Sequence, residues 1–321
     1  MTILVTGAAG FIGSYVCREL QARGEKVIGL DNFNDYYDPQ LKRDRVKAIC
    51  PDVEIFEIDL IDREKINQLF ASHKPTRVIH LAAQAGVRYS ITNPNVYADS
   101  NLSGFTIMLE ACRHNGVKHL VYASSSSVYG GNAKPPFSED QRVNQPLSFY
   151  AATKAANELM AHSYSHLYQL PCTGLRFFTV YGAWGRPDMA PVLFSRAVLA
   201  GRSIDVFNHG KMRRDFTHVT DIVAGVLAAL ETPSQEKAPH RVFNLGNHTP
   251  VELEQFIAVI ENAAGHRVEK NYKELQPGDM VETMADTSRA NAAFGFEPHI
   301  TIEQGLPEVV AWCRSYFGDD A

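Results

Sequence analysis

Cysteine is scarce in this chain of 321 residues: there are five, Cys17, Cys50, Cys112, Cys172 and Cys313. They are odd in number, widely scattered and never spaced as a metal-clipping pair, which speaks against a disulfide framework and predicts reduced, mostly buried thiols. Long hydrophobic runs are missing too, and nothing approaches the roughly 18 consecutive apolar residues of a membrane span. No basic segment precedes the apolar run Ile3-Leu4-Val5 and no small-residue cleavage site follows it, so the expected location is the cytoplasm. Without a secretory signal, the glycosylation patterns at Asn101 and Asn247 carry no meaning. Runs of one charge are absent: 31 Lys and Arg face 36 Asp and Glu, and the net charge of -5 is spread along the chain. That balance argues against nucleic acid or an anionic membrane as a partner, while leaving room for a local basic site that takes a small anion. Internal repeats, low-complexity tracts and long linkers are also lacking.

What is present is an ordinary globular composition, 45% hydrophobic and 21% charged. Short β-rich runs at 3–5, 26–30, 54–58, 77–81, 119–123 and 171–178 alternate with helical spacing at 13–23, 63–72 and 103–115. This βα alternation predicts an α/β fold with a doubly wound parallel sheet, and the continuously apolar runs fit strands covered on both faces. Gly24 and Gly116 stand where helix C-caps belong. After about residue 178 Pro and Gly become denser, predicting a smaller second lobe. The stretch 215–230 reads as a helix, 241–245 as a strand and 251–264 as a further helix. The expected division is therefore 1–178 plus about 215–247 for the first domain, and about 179–214 and 248–321 for the lobe.

The first strand runs into Gly7-Ala8-Ala9-Gly10-Phe11-Ile12-Gly13 and then a helix. In that setting the first glycine permits a tight turn, the second lets a pyrophosphate approach the backbone, and Gly13 lets helix pack on strand. The pyrophosphate would rest on the helix N-terminus. Taken alone, such a pattern is equally a structural turn. Asp31 ends the second strand about 20 residues further on, where a carboxylate accepts hydrogen bonds from ribose hydroxyls and repels a 2′-phosphate. The expected cofactor is NAD, with Lys42 and Arg43 nearby as groups able to serve NADP instead. Asp59, closing the third strand before Leu60, is either an adenine-side polar group or a cap on the next helix.

Tyr150-Ala-Ala-Thr-Lys154 places a phenol and an ammonium one turn apart on a helix face. The cation, with a positive nicotinamide ring, would lower the tyrosine from its usual pKa of about 10 into the range of a general base. In isolation the pair is better read as a surface Tyr beside a solvated Lys. Ser124-Ser125-Ser126-Ser127 ends the strand at 119–123, where doubly wound sheets place their ligands, though such clusters also serve as turns or caps.

Together with His80-Leu-Ala-Ala83, Val128-Tyr-Gly130, Arg176-Phe-Phe-Thr-Val-Tyr-Gly182, Arg214-Asp-Phe216 with Asp221, and Pro277-Gly-Asp279, these pieces resemble the extended short-chain dehydrogenase/reductases over essentially the full length. The resemblance implies a Rossmann-type domain with a C-terminal α/β lobe, and catalysis by Tyr150, Lys154 and Ser125. It also implies that Leu81, Ala82, Ala83 and Gln84 line the cofactor beside Asn32 and the glycine loop. Arg214 would bind a nucleotide diphosphate, Gln276 to Asp279 the nucleoside, and a homodimer would form through the helix that carries Tyr150. That helix face, with Ala155, Ala156, Leu159 and Met160, is equally an ordinary core face.

In this family Tyr150 would take the proton of a sugar 4-hydroxyl while C4 is oxidised. The 4,6-dehydratases carry Asp-Glu, and UDP-xylose-forming decarboxylases a Glu, where this chain has Ser126 and Ser127; that difference implies 4-epimerisation. Asp31 to Pro39, Gln84 to Ser90 and Thr179 to Ala190 are similar to UDP-glucuronate 4-epimerases, implying UDP-glucuronate and UDP-galacturonate as substrates. The uronate carboxylate would meet Thr179, Ser126, Ser127 and Arg186, with Arg88 as a further cation for carboxylate or phosphate. Arg186 has a surface ion pair as its plain alternative. Rival expectations are a UDP-glucose or UDP-N-acetylhexosamine 4-epimerase, a UDP-glucuronate decarboxylase, or a non-catalytic NAD-binding regulator. His162 and His166, one helical turn apart, are a weak metal pair without a third ligand, and no metal is expected.

Overall fold

The computed structural model describes residues 1–131, 133–276 and 280–318. Strands β1 (Thr2–Thr6), β2 (Lys26–Asp31), β3 (Glu54–Glu57) and β4 (Arg77–His80) alternate with helices α1 (Phe11–Ala22), α2 (Pro39–Ile49) and α3 (Arg63–His73). After two single turns, α4 (Tyr89–Thr92) and α5 (Pro94–Tyr97), and a π-helical stretch Ala98–Ser103, come α6 (Gly104–His114), β5 (His119–Ser125), α7 (Phe149–Tyr168) and β6 (Cys172–Phe177). The second half holds β7 (Thr179–Tyr181), α8 (Ala190–Leu199), β8 (Ile204–Val206), β9 (Arg213–His218), α9 (Val219–Glu231) and β10 (His240–Leu245). It ends with β11 (Pro250–Glu252), α10 (Leu253–Ala264), β12 (Lys270–Tyr272), α11 (Ser288–Phe294) and α12 (Ile302–Phe317).

Seven parallel strands in the order β10-β6-β5-β4-β1-β2-β3 form the main sheet. Successive residues of β1 point to opposite faces: Ile3 and Val5 join a core with α1 and α9, while Leu4 joins one with α3, α6 and α7. Burial on both faces explains why these strands read as continuous apolar runs. Strand order reverses between β1 and β4, the place where doubly wound sheets open a ligand crevice. A third core, centred on Phe216, Phe256, Leu306 and Trp312, packs α8, α10 and α12 against the three-stranded sheet β11-β9-β7.

The stretch expected as a helix from 215 begins instead as strand β9, and α9 starts at Val219. Two physical reasons explain this. Asp215 is fully buried and accepts from the backbone amides of Asn247, His248 and Ala285, which anchors an extended chain between β11 and β7. His218 then caps α9 through Nδ1, which accepts from the Thr220 amide. The expected helix at 251–264 likewise opens on the short strand β11. All five cysteines are buried and free. Among the described residues no helix is long and apolar enough to cross a membrane.

Candidate active site

A cavity of about 630 Å³ opens at the C-terminal ends of β1, β4 and β5 and extends to the loops of the second half. Gly7 (φ +71°) turns the chain directly after β1, its amide bonded to the Leu30 carbonyl at 2.7 Å. A Cβ on Gly10 would meet the Gly7 carbonyl at 2.9 Å, and one on Gly13 would meet it at 2.0 Å, so neither position tolerates a side chain without backbone movement. Helix α1 starts at Gly10 with no side-chain cap and no acid in its first turn. Its first N–H groups and positive dipole end are thus left facing the cavity beside Phe11 and Ile12, as an anion requires. On these grounds the loop fits a dinucleotide pyrophosphate.

Asp31 is buried, accepting from the Ala9 amide (3.1 Å) and the Phe33 amide (2.9 Å). Burial raises its pKa, against the opposing pull of Lys42 and those two amides. Asn32 Nδ2 donates to Asp59 at 2.8 Å, and the other Asp59 oxygen accepts from the Ile61 amide. Asp59 does not cap α3; Asp62 does. Lys42 donates to the Asn34 carbonyl and side chain (2.8 and 2.7 Å), and Arg43 pairs with Glu57, so both cations have protein partners. Leu60, Leu81, Ala82, Ala83 and Gln84 line the same wall. Asn101, on the π-helical stretch, accepts from the Gln84 amide and donates to the Gln84 carbonyl and to Thr153 on α7. Nothing in the sequence pattern singles out Asn101, because its role depends on two segments distant in the chain.

Ser148 caps α7 by accepting from the Ala151 amide, so Tyr150 and Lys154 stand one turn apart at its start. Lys154 is buried, donates to the Ala123 carbonyl at 2.8 Å and lies 6.0 Å from the Tyr150 ring centroid. Burial pushes its pKa down to about 8. For Tyr150 itself burial dominates and raises the pKa, opposed by the Ser125 hydroxyl and the charge of Arg186. Ser125 and Arg186, from outside the helix, are thus two groups that draw the phenol down. The four serines divide their work. Ser124 donates to Glu158, which also takes both arms of buried Arg176 (2.9 and 2.7 Å), whereas Ser125 accepts from the Ser127 amide and donates to its hydroxyl. Ser125, Ser126 and Ser127 line the cavity.

Arg88, Thr179, Arg186 and Arg214 also line the cavity. Arg88 stacks over Phe207, 5.3 Å from its centroid. Arg186 does form an ion pair, with both oxygens of Asp188, but inside the cavity wall; Asp188 also accepts from the Tyr36 hydroxyl at 2.9 Å. Gly86 (φ +101°) lies where a Cβ would strike that hydroxyl at 2.6 Å. Tyr36 and Asp188, absent from the sequence-based candidates, thus belong to the site. Gln276 is not among the residues lining the cavity, and Asp279 lies outside the described residues. His162 packs its ring against His240, and among the described residues no group of three His, Cys, Asp or Glu side chains is placed to hold a metal.

A family model described as the NAD dependent epimerase/dehydratase family matches residues 3–246. UDP-glucuronate 4-epimerase 4 of Arabidopsis thaliana is 48% identical over 336 residues, covering 100% of this chain and 77% of that protein. The solved structure of UDP-glucuronic acid 4-epimerase from Bacillus cereus, in complex with UDP-glucuronic acid and NAD, superposes with a TM-score of 0.91 at 32% identity, covering 98% of this chain and 99% of the other. UDP-glucose 4-epimerase of Thermotoga maritima, with UDP-glucose, gives 0.90 at 31% identity, covering 99% and 100%.

Proposed function

The chain belongs to the NAD dependent epimerase/dehydratase family, and on that premise we propose that it interconverts UDP-glucuronate and UDP-galacturonate by oxidation at C4, turnover of the 4-keto sugar and reduction on its other face. The observation that carries this reading is the cavity lining at Tyr150: the Ser125 hydroxyl and the charge of Arg186 act on the phenol, and Ser126 and Ser127 line the same cavity where elimination would need an acid–base pair.

NAD would rest on the N-terminus of α1, with Asp31, Asn32, Asp59 and Leu60 about its adenosine half and Leu81 to Gln84 along the remainder. Bound there, it supplies the acceptor and then the donor of the hydrogen at C4. Tyr150 takes the proton of the 4-hydroxyl and later returns it, with Ser125 bridging phenol and sugar. Lys154, charged below about pH 8, orients the phenol and adds positive charge near it. Arg214 and Arg88 meet the diphosphate, and Gln276 and Asp279 are the candidate partners of the nucleoside. Thr179, Ser126, Ser127 and Arg186 hold the uronate carboxylate. Its grip has a chemical purpose, because the 4-keto intermediate is a β-keto acid that loses carbon dioxide when the carboxylate bond aligns with the carbonyl π system.

The same reading assigns residues 1–178 and about 215–247 to NAD and the rest to the UDP-sugar. Leu159 and Leu167 on α7 are 74% and 62% exposed, which supports a homodimer through that helix, and five free thiols suit a reducing cytoplasm. A second reading, a UDP-glucose 4-epimerase, draws on Asp188 already neutralising Arg186. The deciding experiment incubates the purified protein with UDP-glucuronate and, separately, UDP-glucose, and resolves products by NMR. UDP-galacturonate as the main product supports the proposal; UDP-galactose alone, a decarboxylated pentose or no product overturns it.

A further inference from the structure

Arg45, on α2, is the bulkiest fully enclosed side chain described, at 0% exposure. Nε donates to the Trp184 carbonyl at 2.8 Å, and Nη1 donates to the Ala9 carbonyl at 2.7 Å and the Tyr37 hydroxyl at 3.0 Å. Nη2 makes no hydrogen bond among the described residues. All three acceptors are neutral, and the charge that acts on Arg45 at longer range is the buried Asp31 carboxyl, whose pKa it helps to lower.

Those acceptors lie on three separate segments. Ala9 belongs to the dinucleotide loop, Tyr37 to the segment after β2, and Trp184 stands two residues before Arg186. Trp184 has φ +61°, a left-handed conformation that a bulky residue rarely adopts, and its ring packs on Trp312 and Tyr316. The preceding carbonyl, of Ala183, accepts from the Tyr15 hydroxyl of α1 at 3.0 Å. Two consecutive carbonyls are therefore gripped by donors from the two helices that flank the dinucleotide loop, and the grip holds the one strained turn that leads into Arg186.

We propose that Arg45 is a positioning residue that yokes the dinucleotide loop to the segment presenting Arg186, with Tyr15 completing the hold on the sugar side only. The sugar-side half of this inference rests on the reading of Arg186 as a uronate partner. Arg186 is aimed by residues that never touch the sugar, and the same guanidinium steadies the turn on which NAD lies.

The test compares holoenzyme of the Arg45→Lys and Tyr15→Phe variants with the parent. Lysine keeps the charge, but its single nitrogen does not reproduce the planar fork that spans two carbonyls. Arg45→Lys is expected to raise KM for UDP-glucuronate about tenfold with kcat within about twofold, because small misplacement of a binding group weakens recognition before chemistry. Inhibition by UDP, which lacks the sugar, stays the same, while NAD leaves the gel-filtered protein about fivefold faster, the loop having lost its brace. Tyr15→Phe raises KM about threefold and leaves NAD release unchanged, since its ring stays packed on Phe11 and only the bond to Ala183 is lost. A lowered Tm in Arg45→Lys with KM and NAD release both unchanged would mean a merely structural arginine and overturn the proposal. So would equal losses for UDP and UDP-glucuronate. If Arg45→Lys does not fold, an unchanged KM in Tyr15→Phe is enough to overturn the sugar-side hold. If the parent does not convert UDP-glucuronate, the function proposed above fails, and the difference in NAD release between the two variants still decides the yoke.

Discussion

The two walls of the cavity are built on different plans. The dinucleotide wall centres on one contiguous strand, loop and helix in which three glycines bring backbone close to the ligand, with Asp31, Asp59 and Leu81 to Gln84 added at neighbouring strand ends, and a Cβ on Gly13 would lie 2.0 Å from a carbonyl. The sugar wall gathers Tyr36, Gly86, Ser126, Thr179, Arg186, Asp188 and Arg214 from loops and strand ends across the chain, and side chains do the work. Backbone recognition leaves a local trace in spacing, whereas side-chain recognition depends on what tertiary neighbours hold those side chains.

Four variants or conditions would break or sharpen that contrast. Tyr150→Phe, at the seam between the walls, should lower kcat by about 10³-fold or more, the scale of a lost general base, while NAD and UDP stay bound. Retained turnover would remove Tyr150 from the proton transfer. Gly13→Ala should damage the dinucleotide wall alone, costing about 3 kcal/mol by overpacking and stripping NAD on purification. Calorimetry and the absorbance of extracted NAD report both, and a fully loaded variant of parental Tm would sink the close-approach reading.

Arg186→Met should damage the sugar wall alone: KM for UDP-glucuronate rises about tenfold, about 1.4 kcal/mol, with NAD content unchanged. It should also release UDP-4-keto-pentose, visible by mass spectrometry, because the carboxylate is less firmly held. Slower but clean epimerisation would count against Arg186 as a guard against decarboxylation.

The last effect concerns pH. His80, His119 and His240 all lie in the seven-stranded sheet, and burial pushes their pKa values from 6.5 down to about 3, 4 and 4. Folding keeps them neutral, so an unfolded chain binds more protons below 6.5, and the stability they allow is full above that pH and declines as pH falls toward 4. Hydrogen exchange at pH 7 and 5 should show protection falling first in β4, β5 and β10. Equal protection at both pH values would leave these histidines without a part in acid stability.

Much of the first half was legible. Apolar runs and helical spacing marked β1 to β6 to within a few residues, because those elements are buried on both faces and carry their own periodicity. The serine cluster and the Tyr150 to Lys154 spacing led to one cavity. Strand β9 was misread as helix because Arg213 to His218 is polar, and its extended form depends on Asp215 collecting amides from residues 247, 248 and 285. Of the two readings of Asp59, the helix cap falls away because Asp62 caps α3. The part that Arg186, from a distant loop, plays in lowering the Tyr150 pKa alongside Ser125 left no trace in the helical spacing of Tyr150 and Lys154.

By itself the sequence determined the βα order, the glycine turn and the presence of a phenol, an ammonium and hydroxyls at strand and helix ends, since these follow from local periodicity and the conformational freedom of glycine. Only the tertiary structure decided that Asn101 joins the Gln84 loop to α7, and that a fully buried Arg45 ties the loop at Ala9 to the turn at Trp184. The physical reason is that each is a long-range hydrogen bond or ion pair in a low-dielectric setting, where the partner's position, not the residue's own neighbours in sequence, sets what the group can do.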